Sequence, residues 1–268
     1  MMYSIDEMKA AVLYGPKDIR IEEIAKPEIA VDEILMEVRK VGICGTDMHY
    51  YTGKRTSGGP LVLGHEFSGI VAEAGSKVSK FKKGDRIVAE HVLGCDICEF
   101  CQKGQYNRCP AREVIGINRP GALAQFLAVN QKLVFKLPSA MTFDQGVVVE
   151  PLSIAVYAAE KIHYGKDIHA VIIGQGMIGL LIDQVVKPQT ADVCGIDVVE
   201  QRLVFAKDRG FITAAVNAND ADLVADFKRR TSKFEADVVF EVVGHESTAD
   251  LAFNLAKAGG TVVMLGVF

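Results

Sequence analysis

The 268-residue sequence lacks any apolar run long enough to span a bilayer; its longest, near 170–182, is broken by Gln175 and by glycines. Its opening, MMYSIDEMKAAV, carries Asp6 and Glu7 and no apolar stretch of the kind that directs secretion. Residues 1–7 read as an unstructured extension ahead of a strand that begins at Met8. No basic arm or polybasic patch is present. The 30 Lys and Arg are balanced by 34 Asp and Glu, with both signs scattered, and the net charge of −4 argues against nucleic-acid and membrane-surface partners. Internal repeats and low-complexity tracts are also missing. The six cysteines do not form a disulfide framework, because four of them crowd between 95 and 109. These absences leave a cytosolic chain with the composition of an ordinary folded domain.

Two halves read differently. Up to about residue 150 the pattern is one of short alternating strands punctuated by Gly and Pro: MKAAVLY, IRIEEI, EILMEVRKVGIC, FSGIVAEAG and DRIVAE. That pattern predicts a β-rich, barrel-like domain over 1–152. From about 165, strands alternate with helices. HAVIIG, DVCGID, AAV, ADVVFEV and GTVVMLG are the strands, and helices fall near 177–187, 200–209, 220–231 and 247–257. Regular βαβ alternation predicts a parallel sheet covered on both faces over 153–268, of α/β class.

HAVIIGQGMIGLLI places Gly174, Gly176 and Gly179 in G-x-G-x-x-G spacing, after an apolar strand and at the opening of a helix. That context marks a dinucleotide site. The first glycine permits a tight turn, the second a close approach of the pyrophosphate, and the third close helix–strand packing. Phosphates then face the helix N-terminus. Asp197 ends the next strand, 18 positions after Gly179. A carboxylate there suits a ribose 2′-hydroxyl and repels a 2′-phosphate, which favours NAD over NADP; Arg202 nearby is of the type that accepts a 2′-phosphate. The blander alternatives are a plain tight turn for the glycines and a strand-end cap for Asp197.

GCDICEFCQKGQYNRCP spaces Cys95, Cys98, Cys101 and Cys109 as C-x2-C-x2-C-x7-C. Four thiolates close a tetrahedral shell on zinc with no open position, which makes the site structural. Metal then supplies much of the folding energy of a lobe poor in apolar residues. Lys103 and Arg108 are positioned in the loop to offset the excess negative charge. An iron–sulfur cluster or free thiols are the alternatives.

Three further motifs lie in the first half: GICGTDMHYY with Cys44, Thr46, Asp47, His49 and Tyr50; VLGHEFSG with His65 and Glu66; and VVVEPLS with Glu150. Singly, each is as readily structural. Together they offer thiolate, imidazole and carboxylate, the donors of an open zinc site. In order along the chain, C-G-T-D-x-H, G-H-E, the four-cysteine lobe, GINRPGALAQF, E-P-L and G-x-G-x-I-G with its downstream Asp resemble the zinc-containing medium-chain dehydrogenases, most of all their sorbitol (polyol) branch. GINRPG is also similar to threonine dehydrogenases.

The resemblance implies a GroES-like catalytic barrel followed by a Rossmann domain, and a zinc-dependent, NAD-linked oxidation of a polyol or secondary alcohol. Cys44, His65, Glu66 and Glu150 would serve one catalytic zinc, the carboxylates as exchangeable ligands, with Asp47 supporting His65. Thr46 and His49 would relay the alcohol proton, while Tyr50 and Glu150 would contact substrate. Gly174, Gly176, Ile178, Gly179, Asp197 and Arg202 would hold the NAD, with backbone at Leu265, Gly266 and Val267 beside the nicotinamide end. L-Threonine oxidation, or a non-catalytic zinc- and nucleotide-binding fragment, is the alternative. Met177 stands where the family often has proline, and Gln125 where many members have glutamate. Only five of the six Rossmann strands can be counted. The chain therefore reads as C-terminally incomplete, and a homo-oligomer is expected of the complete form. Cys194, His91 and Glu90 read as structural, His163, His169 and His245 as solvent-facing or capping, and Glu241 as either structural or lining the cofactor site.

Overall fold

The structure is a computed structural model, and it describes residues 7–190, 192–219, 223, 227 and 235–267. Of the extension expected over 1–7, residues 1–6 lie outside the described residues and Glu7 already belongs to the first strand; the helix expected over 220–231, apart from Leu223 and Phe227, also lies outside them. The chain divides into two compact units, Met1–Glu150 and Pro151–Phe268.

The first unit is antiparallel. β1 (Glu7–Gly15) buries Met8, Ala10 and Val12 on one face, the period-two signature of a half-buried strand, and lies between β2 (Asp18–Ala25) and β4 (Leu61–Val62). A second sheet runs in the order β10-β6-β5-β3-β9, built from β3 (Glu33–Gly42), β5 (Glu66–Ala74), β6 (Arg86–Ala89), β9 (Phe126–Asn130) and β10 (Val134–Lys136). Ile34, Met36, Phe67, Val71, Ile87, Leu127 and Val129 form its core. A short hairpin of β7 (Val92–Leu93) and β8 (Glu113–Val114) brackets the four-cysteine segment.

The second unit is a parallel sheet of order β13-β12-β11-β14-β15. Its strands are β11 (His169–Ile173), β12 (Asp192–Asp197), β13 (Ala214–Asn217), β14 (Ala236–Glu241) and β15 (Ala256–Met264). Every residue of β11 is buried, as expected of a strand covered on both faces. The described helices here are α5 (Met177–Val186), α6 (Glu200–Asp208) and α7 (Glu246–Leu255), with α4 (Val149–Ala159) at the start of the unit. The strand order reverses at β11, which has β12 on one side and β14 on the other. The turns leaving β11 and β14 therefore bound the crevice where ligands of open α/β sheets bind.

Several expectations need correction. The helix expected over 247–257 ends at Leu255, and Ala256 is already extended (φ −70°, ψ 134°) because the chain there pairs with β14 through a register shift. His169 is not solvent-facing: it is 0% exposed, with Nδ1 2.9 Å from Asp192 Oδ2. His245 does cap α7, accepting from Ser247 N, and Cys194 is a buried core residue.

Candidate active site

GICGTDMHYY leads from the end of β3 into a short helix, α1 (Gly45–Thr52), which has an unusual cap. The Cys44 thiol occupies the N-cap and accepts from Thr46 N at 3.5 Å, while Asp47 Oδ2 accepts from Cys44 N at 2.8 Å. This is a capping box with sulfur in place of the usual hydroxyl. Asp47 is 3% exposed; its Oδ1 also accepts from Gly64 N and lies 3.7 Å from His65 Nδ1. One carboxylate thus ties the helix start to the loop that carries the histidine just before β5. The helix exit is equally defined, with Gly53 in the left-handed region (φ 81°) donating to Tyr50 O.

This local fold gathers three donors. A ligand atom from each of Cys44, His65 and Glu66 lies within 4.8 Å of the other two. Glu66 finds room because Gly42 faces it; a Cβ on Gly42 would stand 2.3 Å from Glu66 Oε2. Burial raises the Cys44 thiol and the Glu66 carboxyl and lowers the His65 imidazole. The thiolate and carboxylate are costly to keep buried without a cation, while burial holds the imidazole in the neutral form that ligates a metal. Thiolate, imidazole and carboxylate in this spacing match the donor chemistry of an open zinc site, and one thiolate with one carboxylate offsets a divalent charge.

Glu150 does not join that group. Its Oε1 lies 3.2 Å from His91 Nδ1, and the His91 ring packs on His65 with centroids 5.2 Å apart. Burial, then the neighbouring Glu66 and Glu90, push Glu150 up to about 7, and burial pushes His91 down to about 4. His91, which the sequence marks as structural, thus packs against the donor cluster. No motif spacing links positions 91 and 150, so only the tertiary fold reveals the pair. Thr46 and His49 are half-buried on α1, whereas Tyr50 is 7% exposed and packs with Leu13 and Leu63.

The four cysteines of the lobe also converge, each offering a sulfur within 4.8 Å of the others. Cys98 caps the short helix Glu99–Gln102 through Cys101 N, and backbone N–H groups of Ile97 and Cys98 lower Cys95 to about 6. The sequence assigned Lys103 and Arg108 to offset the thiolates. Lys103 instead pairs with Glu99, and Arg108 lies over the Phe100 ring.

In the second unit, Gly174 has φ 100° and donates to Ile196 O at 2.7 Å, closing the turn after β11. A Cβ on Gly179 would meet Gly174 O at 1.8 Å, so helix and loop touch only because that side chain is missing. Gly176 is the N-cap of α5 without a side-chain cap, and nothing lies within 4 Å of where its Cβ would be. Exposed N–H groups beside open space suit an anion. Asp197 is buried: Oδ2 accepts from Gln175 N and Oδ1 from Val199 N, and the exposed Arg202 stands 3.4 Å from Oδ2. Ile178 is half-buried in the first turn of α5. Leu265 N and Gly266 N donate to Glu241 O, which holds the 265–267 segment against the turn after β14. Glu241 itself is fully buried, and its Oε1 accepts from Val243 N, Gly244 N and Thr248 Oγ1, a structural role that organises this turn.

Known proteins resemble both parts of the chain. Residues 30–139 match the alcohol dehydrogenase GroES-like domain, and residues 178–268 match the zinc-binding dehydrogenase family. The sorbitol dehydrogenase of Bacillus subtilis is 33% identical over 97% of this chain and 75% of its own length. A zinc-binding dehydrogenase of Sinorhizobium meliloti 1021, solved with NADP, superposes with a TM-score of 0.91 at 34% identity, covering 98% of this chain and 77% of that one. A short chain alcohol dehydrogenase of Escherichia coli CFT073, solved with NADH, also gives 0.91, at 28% identity and the same coverage. Among the described residues, no helix is long and apolar enough to cross a membrane. Taken with the donor cluster and the glycine-rich turn, these matches show that the chain belongs to the zinc-binding dehydrogenase family with an alcohol dehydrogenase GroES-like domain, and is an oxidoreductase.

Proposed function

We propose that the chain oxidises a polyol or secondary alcohol to a ketone, with NAD as hydride acceptor and one zinc at Cys44, His65 and Glu66. The observation that carries this reading is the convergence of those three donors beside the Cys44-capped end of α1. Zinc held there supplies Lewis acidity, lowering the pKa of an alcohol oxygen. NAD supplies the redox chemistry. The chain's own residues do the rest. Asp47 orients His65 and fixes the helix start. Thr46 and His49, half-buried on α1, take the substrate proton outward. Glu150, kept near neutrality by burial, is polar enough to contact a hydroxyl and remains within the site through His91. Tyr50, packed with Leu13 and Leu63, anchors α1.

Gly174, Gly176 and Gly179 with Ile178 cradle the pyrophosphate. Asp197 faces the ribose, its charge disfavouring a 2′-phosphate, and Arg202 is drawn to Asp197 rather than left free for one. Segment 265–267 lies by the nicotinamide end. Cys95, Cys98, Cys101 and Cys109 hold a second, structural zinc. Residues 1–152 would be the catalytic part and 153–268 the nucleotide-binding part. A cytosolic location and a homo-oligomeric assembly go with this reading.

The test is NADH formation from a panel of polyols, secondary alcohols and L-threonine, alongside zinc analysis. Two zinc atoms per chain and turnover of a polyol with NAD are expected. A folded, fully zinc-loaded chain that turns over nothing would leave only a binding role.

A further inference from the structure

α5 reads MIGLLIDQVV, and its Asp183 shares the buried face with Gly179, Ile182 and Val186. Both Asp183 and Gln175, in the glycine-rich loop just before the helix, are 0% exposed. Gln175 Nε2 donates to Asp183 Oδ1 at 3.5 Å. In this pair, Gln175 Oε1 and Asp183 Oδ2 are buried without a hydrogen-bond partner among the described residues. Both are acceptors when Asp183 is ionised, so the pair is one proton short. A proton on Oδ2 would make it a donor available to Gln175 Oε1, and a second hydrogen bond there would close a ring between acid and amide and satisfy both orphaned atoms. Burial also holds the Asp183 carboxyl well above the usual range, opposed only by its bond from Gln175.

The pair sits directly behind the cofactor loop. Gln175 lies between Gly174 and Gly176, its backbone N–H donates to Asp197 Oδ2 at 2.7 Å, and its side chain fills space that a Cβ on Gly195 would take. The strands packed on α5 are β11 and β12. β11 contributes His169, paired with Asp192 of β12; β12 also contributes the buried Cys194 and Asp197, the latter bonded to Gln175 N, Val199 N and Arg202.

We propose that Asp183 stays protonated in the folded protein and, paired with Gln175, is a positioning residue that holds the glycine-rich loop in the shape that receives the dinucleotide. The proposal rests on the dinucleotide-binding reading above.

Its test compares the wild-type chain with Asp183→Asn and Asp183→Leu, by urea unfolding from pH 5 to 9 and by NADH fluorescence titration. Asn preserves the two-bond ring and cannot ionise. The folded acid keeps a proton that the unfolded chain releases, so wild-type stability should fall relative to Asp183→Asn as pH rises. At pH 6, Asp183→Asn should bind NADH within about twofold of wild type, and Asp183→Leu at least about tenfold more weakly. Should Asp183→Leu fail to fold, Gln175→Met takes its place. Parallel pH profiles of wild type and Asp183→Asn would overturn the protonated pair. Equal weakening by Asn and Leu, or no weakening by Leu, would overturn the positioning role. A wild type that binds no NADH would sink the dinucleotide reading and the positioning role with it, while the unfolding profiles still decide the protonation.

Discussion

Glu150 and His91 illustrate how burial, helped by like-charged neighbours, sets the behaviour of two residues. Each is driven toward its neutral form, Glu150 up to about 7 and His91 down to about 4. Consider the protein stripped of zinc. Folded Glu150 keeps a proton that the unfolded chain releases above its ordinary value of 4.5, so this residue lowers stability as pH climbs from 4.5 to about 7. Folded His91 refuses a proton that the unfolded chain takes below 6.5, so it lowers stability as pH drops from 6.5 to about 4. Each effect amounts to about 3 kcal/mol over its full window. Where the windows overlap the slopes oppose each other, and the pair's contribution is nearly flat. Glu150→Gln should uncover the histidine slope, with stability rising between pH 4 and 6.5; His91→Asn should uncover the opposite slope, falling between pH 4.5 and 7. Denaturant midpoints across pH read both, and slopes of the same sign in the two variants would refute the pairing.

At the scale of elements, the sequence pattern locates most strands and helices because their signal is local. Periodicity finds α5 and α6 to within a residue or so, and the glycine spacing finds the turn between β11 and α5. α1 is less visible, since its cap is a thiol; Cys44 followed three residues later by Asp47 is the pattern that identifies it once sulfur is accepted as a cap. The last two glycines of the turn also differ in a way that only geometry shows. A Cβ at Gly179 would sit 1.8 Å from Gly174 O, while one at Gly176 meets nothing within 4 Å, and Gly176 already has a φ of −80° that alanine adopts freely. Gly179→Ala should therefore cost several kcal/mol of stability, on the order of a strained core substitution. Gly176→Ala should keep its melting temperature within a degree or two but weaken NADH by about tenfold, because its methyl group stands where the phosphate approaches. Melting scans with NADH titration separate the two, and a destabilised Gly176→Ala would show that the space beside α5 is structural.

Across the whole molecule, the chemistry that sequence reveals is the chemistry held in contiguous motifs: four cysteines within fifteen residues, three glycines within six, and the Cys44 helix. What it conceals is held in pairs far apart in the chain, such as His91 with Glu150 and the buried His169 with Asp192. Their partners are chosen by packing, and no spacing rule connects them. The donor cluster lies wholly in the first unit and the glycine-rich turn wholly in the second, so metal and nucleotide binding should be separable by mutation. Cys44→Ser is the sharpest probe, since a serine hydroxyl is a poor replacement for a thiolate on zinc yet still caps a helix. Turnover should fall by at least about a hundredfold, and bound zinc should drop from two atoms per chain toward one. The four-cysteine lobe should keep its metal, and NADH affinity should stay within about twofold of wild type. If NADH binding collapsed together with turnover in a folded Cys44→Ser protein, nucleotide binding would depend on the metal centre, and the assignment of separate tasks to the two units would have to be abandoned.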